Sequence, residues 1–332
     1  MGIYLDNNAT TRVDDAVVAE MLPLFTEHFG NPSSMHGYGA AVGGKIEWAR
    51  GEVQKLLGAA FDTEIVFTSG GTESDNTAIL SALKAYPKRR EIVTSVVEHP
   101  AVLSFCDYLE SKEGYKVHRI PVDGKGDLDM AAYEAALSEN VAIVSIMWAN
   151  NETGTIFPVE QLAVMAKKVG ALFHTDAVQA VGKIPMDLAN SEIDMLSLSG
   201  HKLHAPKGVG ALYLKRGIRF RPLFRGGHQE RGRRAGTENA PAIVGLGKSR
   251  AGRCQKPSRC GEGQGCPTRS SHESLPCRST AAGDCQGAAP NTSCGPTCLA
   301  AERYRDQARW AVETYAWRFD GLERAPRAGG AA

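Results

Sequence analysis

The stretch Met195-Leu-Ser-Leu-Ser-Gly-His-Lys202 joins a short apolar run to a glycine, a histidine and a lysine. A buried strand that ends in polar residues is typical of α/β folds, which bind ligands at the carboxyl ends of their strands. There, Lys202 can lose its proton by desolvation and attack an aldehyde, and Gly200 lets a ligand approach the backbone. Spacing alone favours a solvated loop lysine, however, and Lys207 is a nearby rival.

Four other apolar runs resemble this one and are bounded by turn residues. Continuous runs of this kind predict the strands of a parallel sheet that is covered on both faces. Helical patterns lie between the runs, at residues 75–85 and 159–169. The alternation predicts an α/β fold with a mainly parallel sheet flanked by helices. The predicted strands are 64–68, 91–97, 141–147, 171–174 and 195–198.

A second polar cluster, Thr68-Ser-Gly-Gly-Thr-Glu-Ser74, follows the first predicted strand and opens a helix. The free N–H groups at a helix N-terminus attract anions, so this turn can cradle a phosphate with the Thr72 hydroxyl as a further donor. Many such turns only cap a helix, and the motif alone does not separate the two interpretations.

Three more polar residues follow predicted strands. The carboxylate of Asp176 can keep a pyridinium nitrogen protonated, but a helix-capping Asp is equally expected at this position. His99 can stack on a cofactor ring or cap a helix, and Asn151 can reach a substrate or belong to a polar turn. Together the clusters give one sheet edge a lysine, a phosphate cradle, a carboxylate and an imidazole. This combination fits pyridoxal phosphate (PLP) better than a nucleotide.

The sequence closely resembles the cysteine desulfurases, in particular the NifS type, which are class V aminotransferase-like PLP enzymes of fold type I. The resemblance covers roughly residues 3–247 with almost no gaps. The motifs that carry it are residues 4–11, 30–34, 68–74, 97–100, 149–154, 174–180, 199–202, 207–210 and 225–239.

The resemblance implies a role for each matching residue. Lys202 would carry PLP as a Schiff base, which leaves Lys207 structural, and His99 would stack on the ring and move protons. Asp176 would pair with the pyridine nitrogen and Gln179 would bind the phenolic oxygen. The full set of implied cofactor-binding residues is Gly71, Thr72, His99, Asn151, Asp176, Gln179, Ser199, Gly200, His201, Lys202 and Thr237.

Some of these residues would bind the phosphate group and not the ring. Gly71, Thr72, Ser199 and His201 would bind the phosphate. Thr237 would reach the phosphate of the partner subunit's cofactor, which implies a homodimer. The implied reaction converts L-cysteine into L-alanine and an enzyme persulfide, which passes sulfur to an acceptor or scaffold protein for iron–sulfur (nitrogenase) cluster assembly.

Composition excludes several other classes of function. The net charge of +1 gives no electrostatic reason to expect a nucleic acid or an anionic membrane as partner. No apolar run reaches the length of a bilayer span, and the first residues do not read as a signal peptide. We therefore expect a cytoplasmic protein. We expect no metal site, because the tail cysteines lack C-x₂-C spacing.

The character of the chain changes after about residue 248. Residues 249–311 contain no Ile, Val or Phe, and the cysteines other than Cys106 all lie between Cys254 and Cys298. We predict a PLP-binding domain with its N-terminal segment at 1–248 and a disordered Cys/Gly/Ser/Pro/Arg-rich stretch at 249–298. A helix at 299–322 and a tail at 323–332 would follow.

The change also removes expected parts of the site. The family's serine- and glycine-rich loop with its nucleophilic cysteine has no match, nor does the arginine that holds the substrate carboxylate. A frameshifted C-terminus would explain the missing small domain, and an inactive chain that binds PLP weakly or not at all would follow. Three alternatives stay open: a non-catalytic PLP-binding remnant or scaffold, a selenocysteine lyase, and a dead enzyme domain with a metal-binding tail.

Overall fold

The computed structural model describes residues 3–249. Their strands form one sheet in the order β1-β7-β6-β5-β4-β2-β3. Neighbouring strands pair in parallel from β6 to β3, whereas β7 is antiparallel to both β6 and β1. The strands are β1 Ile65–Thr68, β2 Glu91–Ser95, β3 Lys116–Ile120, β4 Val141–Ser145, β5 Leu172–Asp176, β6 Met195–Ser199 and β7 Gly210–Leu214.

Helices cover both faces of this sheet. On one face, α4 and α5 pack on the strands through side chains such as Ile79 and Val102. On the other face, α3, α6, α7 and α8 contribute side chains such as Ile46, Tyr133 and Leu162 to a second core. The helices are α1 Asp15–Met21, α2 Pro23–Thr26, α3 Gly37–Leu57, α4 Gly71–Ala85, α5 Pro100–Glu113, α6 Met130–Ala136, α7 Val159–Lys168 and α8 Ala240–Lys248.

The predicted fold class is confirmed for the described residues. All five predicted strands are present, although β2 and β4 end two residues earlier and β5 two residues later than predicted. The predicted helices at 75–85 and 159–169 correspond to α4 and α7. The strands β3 and β7 were not predicted from the sequence. The segments 249–298, 299–322 and 323–332 lie outside the described residues, apart from Ser249 at the end of α8.

One ion pair is buried between α3 and the loop before α8. The guanidinium of Arg50 makes two 2.8 Å hydrogen bonds to the carboxylate of Glu230, and the two side chains are 4% and 2% exposed. Glu230 also accepts from the backbone N–H of Phe67 in β1, at 3.0 Å. Glu230 and Arg231 adopt left-handed backbone angles, with φ of 48° and 59°. The pair therefore fixes a strained loop against the strand that leads into the phosphate turn.

None of the helices α1–α8 combines the length and the hydrophobicity that a membrane span requires.

Candidate active site

The polar clusters predicted from the sequence lie at one edge of the sheet. Since β1 and β6 are both antiparallel to β7, they run parallel to each other, and Thr68 and Ser199 pair with the same residue, Gly210. The parallel strands β6, β5, β4 and β2 end at this edge as well. The residues that follow β1, β2, β4, β5 and β6 therefore surround a common site.

The turn between β1 and α4 has the form of an anion cradle. Gly70 has a φ of +155°, and α4 begins at Gly71, so the first amides of a 15-residue helix are free at this point. A Cβ atom on Gly71 would lie 3.0 Å from Val178 Cγ2 and 3.7 Å from Ser199 Cβ. Thr72 is exposed in the first turn of α4. The turn therefore lies directly against Ser199, as a shared phosphate site requires.

Lys202 lies in the short 3₁₀ turn Gly200–Lys202, directly after β6. Its Nζ donates to the main-chain oxygen of Asn8, which also accepts from Gln179 Nε2 at 3.0 Å. Partial burial lowers the pKa of Lys202, and the nearby Asp176, Asp6 and Glu152 oppose this shift. A lysine that loses its proton more readily than one in water is suited to attack a carbonyl carbon.

Gly200 and His201 hold the same turn in place. A Cβ atom on Gly200 would lie 2.8 Å from Val209 Cγ1, so only glycine fits there without a shift. The main-chain oxygen of His201 accepts from the N–H and the hydroxyl of Thr11, at 2.9 and 2.8 Å. His201 Nδ1 lies 3.1 Å from the Thr10 hydroxyl. The N-terminal segment thus packs over the lysine turn.

Asp176 is the last residue of β5 and is 6% exposed. Its Oδ1 accepts from the backbone N–H of Val178 at 2.9 Å, which is the pattern of a helix or turn cap. Burial raises the pKa of Asp176, and Val178, His99 and Lys202 act in the opposite direction. The opposing effects of His99 and Lys202 mean that both side chains lie close enough to act on this carboxylate.

His99 begins α5, and its Nδ1 accepts from the backbone N–H of Ala101 at 3.1 Å. The capping interpretation is therefore correct for this nitrogen. A neutral imidazole that accepts at Nδ1 carries its proton at Nε2, so Nε2 can donate a hydrogen bond to a ligand but has no lone pair to accept a proton. Capping and hydrogen-bond donation use different atoms of one ring, whereas uptake of a second proton would take place at Nδ1 and break the cap.

The remaining predicted residues are less closely tied to the site. Asn151 donates to its neighbour Glu152 at 2.6 Å, while Asn150 is buried and organises the turn by accepting from the amides of Glu152 and Thr153. Thr237 is exposed on the loop before α8. Its predicted contact with a partner subunit's cofactor requires a second chain and stays a prediction.

Part of the site was not predicted from the sequence. The main-chain oxygen of Asn8 and the buried side chains of Asp75, His174 and Glu98, which lie behind Asp176, had no assigned function. One signal was available: an acidic residue at position 75, within the buried face of α4, is rare without a partner.

Residues 3–249 contain one cysteine, Cys106, which is fully buried in α5. Burial raises the pKa of its thiol to about 12, so the thiolate does not form at neutral pH. Residues 3–249 bring no group of three or more His, Cys, Asp or Glu side chains together as a metal site would.

The comparisons with known proteins agree with this geometry. The aminotransferase class-V family model matches residues 3–251. The chain belongs to this family. Its members depend on PLP, and the lysine, the buried carboxylate and the anion cradle at the sheet edge fit that cofactor.

Curated relatives include several cysteine desulfurases. The chain is 71% identical over 245 residues to the cysteine desulfurase of Gluconacetobacter diazotrophicus and 69% identical over 245 residues to the cysteine desulfurase NifS of Azotobacter vinelandii. Each match covers 74% of this chain and 61% of the relative, so the chain spans about three-fifths of these proteins. The predicted resemblance to NifS-type enzymes is confirmed.

Solved structures of NifS-like proteins share the fold. A NifS-like protein superimposes with a TM-score of 0.73 at 46% identity, over 76% of this chain and 70% of that structure. The structure of SspA in complex with cysteine gives a TM-score of 0.72 at 39% identity, over 76% of this chain and 72% of that structure.

Proposed function

We propose that the protein is a PLP-dependent cysteine desulfurase, which takes sulfur from L-cysteine and releases L-alanine. The observation that carries this proposal is the convergence of Lys202, Asp176 and the Gly70–Gly71 turn on one sheet edge. The names of the curated relatives supply the substrate.

Each residue of the site would bind a different part of the cofactor. Lys202 would hold it covalently, and Asp176 would hold a proton on the pyridine nitrogen. When bound, PLP supplies an electron sink for the bonds of the substrate amino acid. Gln179 would hydrogen-bond the phenolic oxygen of the ring, and Asn151 would contact the substrate or that oxygen. The phosphate would bind to Gly71, Thr72, Ser199 and His201.

Proton movement would fall to His99 and Lys202. The Nε2–H of His99 would donate a hydrogen bond to the ligand, because Nδ1 accepts at the cap of α5, and uptake of a proton by His99 would require release of that cap. The lowered pKa of Lys202 favours its neutral amine more than in water, which would help it to accept and return a proton. Both groups lie near the same carboxylate, Asp176, and both act to lower its pKa.

The sulfur-accepting thiol must lie outside residues 3–249, because Cys106 is buried and un-ionised. The cysteines from Cys254 to Cys298 lie outside the described residues. Transfer of sulfur would then continue to an acceptor or iron–sulfur scaffold protein, with nitrogenase as the implied destination.

We also propose that the protein acts as a homodimer in the cytoplasm. Support comes from large apolar side chains on one stretch of the chain that are exposed in a single copy, as a subunit contact requires. Their exposed fractions are 59% for Leu22, 61% for Phe25, 68% for Phe29 and 65% for Tyr38.

The first experiment is to add PLP in excess to the full chain and record its visible absorbance. The excess of PLP compensates for the weak binding expected from the sequence, so we expect a band of lysine-bound cofactor that is absent in Lys202→Ala and present in the control Lys207→Ala. Equal bands in both variants would refute the assignment of Lys202. Analysis of the same samples for alanine after addition of L-cysteine tests the reaction.

Two other functions give different results in this experiment. A non-catalytic PLP-binding protein would show the band but release no alanine or sulfide, and the absence of an accessible thiol in residues 3–249 favours it as the second candidate. A selenocysteine lyase would release alanine from L-selenocysteine but not from L-cysteine.

A further inference from the structure

A group of buried acids lies beneath the cofactor carboxylate. Asp75 of α4 is 1% exposed, and Glu98, which precedes α5, is 4% exposed. Asp176, at the end of β5, raises the pKa of both side chains, and Glu98 also raises the pKa of Asp75. We refer to Asp75, Glu98 and Asp176 as the acid cluster. Three ionised carboxylates that act on one another in the protein interior would repel one another strongly.

The histidine next to the acid cluster supplies no compensating charge. His174 is 0% exposed, and its ring nitrogens lie 2.9 Å from the hydroxyls of Ser145 and Ser197. Burial lowers the pKa of His174 to about 3, so its imidazole is neutral. Its Nε2 lies 3.6 Å from Asp75 Oδ1, too far for a good hydrogen bond.

Asp75 and Glu98 each have one oxygen that lacks a hydrogen-bond partner. These atoms are Asp75 Oδ1 and Glu98 Oε2, and neither has a hydrogen-bond partner among residues 3–249. The other oxygen of Glu98 accepts from the Ser95 hydroxyl at 2.6 Å and from the Met147 N–H at 3.0 Å. A buried carboxylate with a bare oxygen is strongly unfavourable, and such a group takes up a proton instead.

We propose that Asp75 and Glu98 are protonated, uncharged positioning residues, which leave Asp176 as the single anionic carboxylate of the acid cluster. The assignment of the charge to Asp176 follows from its surroundings. It accepts from the Val178 N–H and lies near the side chains of His99 and Lys202. The role of that charge toward a pyridine nitrogen rests on the proposed function.

The titration behaviour of the acid cluster points the same way. Burial and the charge of Asp176 raise the pKa of Asp75 well above its usual range, and burial raises the pKa of Glu98 to about 8. The other titratable groups that face them are His174 of β5 and Cys106 of α5. Both are neutral, since burial raises the pKa of the Cys106 thiol and lowers that of the His174 imidazole.

Neutral neighbours have a consequence for Asp176. A second negative charge behind it would raise its pKa further and favour its protonation. A protonated Asp176 could not hold a proton on the ring nitrogen by charge. Because Asp75 and Glu98 are uncharged, the negative charge stays on Asp176, the residue that would pair with the pyridine nitrogen.

The test is infrared spectroscopy of the full chain at pH 7 without added cofactor, since protonated and ionised carboxyl groups absorb at different frequencies. We expect a protonated-carboxyl band that decreases by one group in Asp75→Asn and by one group in Glu98→Gln. The control Glu139→Gln, at an exposed position, should leave the band unchanged. In the unaltered chain, the band should lose intensity as the pH rises through about 8.

A band that is the same in Asp75→Asn, Glu98→Gln and the unaltered chain would overturn the proposal, because both carboxyls would then be ionised. If either variant fails to fold by circular dichroism, the unaltered chain decides, and a spectrum at pH 7 without a protonated-carboxyl band would equally overturn the proposal. Failure of PLP to bind contradicts the proposed function but leaves this result intact.

Discussion

Within residues 3–249, two regions that bury charged side chains differ in how the charge is matched. Arg50 and Glu230 form a two-bond ion pair in which the carboxylate also accepts from a strand amide. In the acid cluster, Asp75, Glu98 and Asp176 share one region, where His174 is neutral and each of the first two keeps a bare oxygen.

The difference separates a structural role from a site role. A matched pair such as Arg50–Glu230 gives the loop before α8 one fixed position and leaves both groups ionised. An unmatched cluster can keep its members buried only by protonation, so its charge depends on pH and on what binds next to it. Perturbed groups of the second kind lie at the sheet edge that we assign to the cofactor.

The largest effect is expected from breaking the matched pair. Glu230→Gln leaves the buried guanidinium of Arg50 without a counter-charge, so we expect it to lower the free energy of unfolding by about 3–5 kcal/mol. Urea denaturation measures this value. Glu52→Gln, which breaks the exposed pair with Lys55, is the matched control and should change stability by less than about 0.5 kcal/mol. Equal losses would show that burial does not distinguish the pairs.

The acid cluster should give a pH dependence that the matched pair lacks. The folded state holds a proton on Glu98 up to about pH 8, whereas a glutamate in the unfolded chain loses its proton near pH 4.5. The folded state thus binds more protons in this window, and its stability falls as the pH rises from about 4.5 to about 8. Glu98→Gln removes this contribution, which is about 1.4 kcal/mol per pH unit for one proton.

Denaturation of both chains at several pH values between 5 and 8 measures the two slopes. A Glu98→Gln chain with the same slope as the unaltered chain would mean that Glu98 is already ionised in the folded state.

An intermediate pair sharpens the comparison further. Arg234 bonds to Glu73 in the first turn of α4 at 3.0 Å, and the two side chains are 25% and 6% exposed. We expect Arg234→Gln to lower the free energy of unfolding by about 1 kcal/mol, because water partly replaces the lost partner. The bond of Arg234 lowers the pKa of Glu73, so the loss should shrink as Glu73 is protonated at acid pH. A loss of stability as large as that of Glu230→Gln would show that the Arg234–Glu73 pair contributes as much as the fully buried pair.

Much of the site could be predicted from the sequence because strand topology placed it. The polar residues after β1, β5 and β6 needed only a parallel sheet to come together. The apolar, β-branched runs of β2 and β4 identified the strands themselves. By contrast, β7 reads Gly-Ala-Leu-Tyr-Leu, which has no β-branched residue, and the edge strand β3 mixes Lys116 and His118 with apolar residues.

The parts that escaped prediction depend on contacts between distant residues. Arg50 and Glu230 lie 180 positions apart, and nothing in their local spacing relates them. Asp75 and His174 meet only because α4 packs on β5 and β6. The long helix α3 was also not predicted, since its glycines lower helix propensity, yet it packs so tightly that a Cβ on Gly247 of α8 would lie 2.6 Å from Ala49 Cα.

The position of β7 between β1 and β6 has a consequence for biosynthesis. The strand β1 makes no direct hydrogen bond to β6, because β7 lies between them. Ile65 of β1 pairs with Tyr213 of β7, which leaves the ribosome long after Ile65 does. The glycine turn after β1 therefore acquires its neighbour Ser199 only when residues 210–214 have been translated. A nascent chain that stops short of that strand carries Gly71, Thr72, Ser199 and His201 but lacks the strand that joins their two segments.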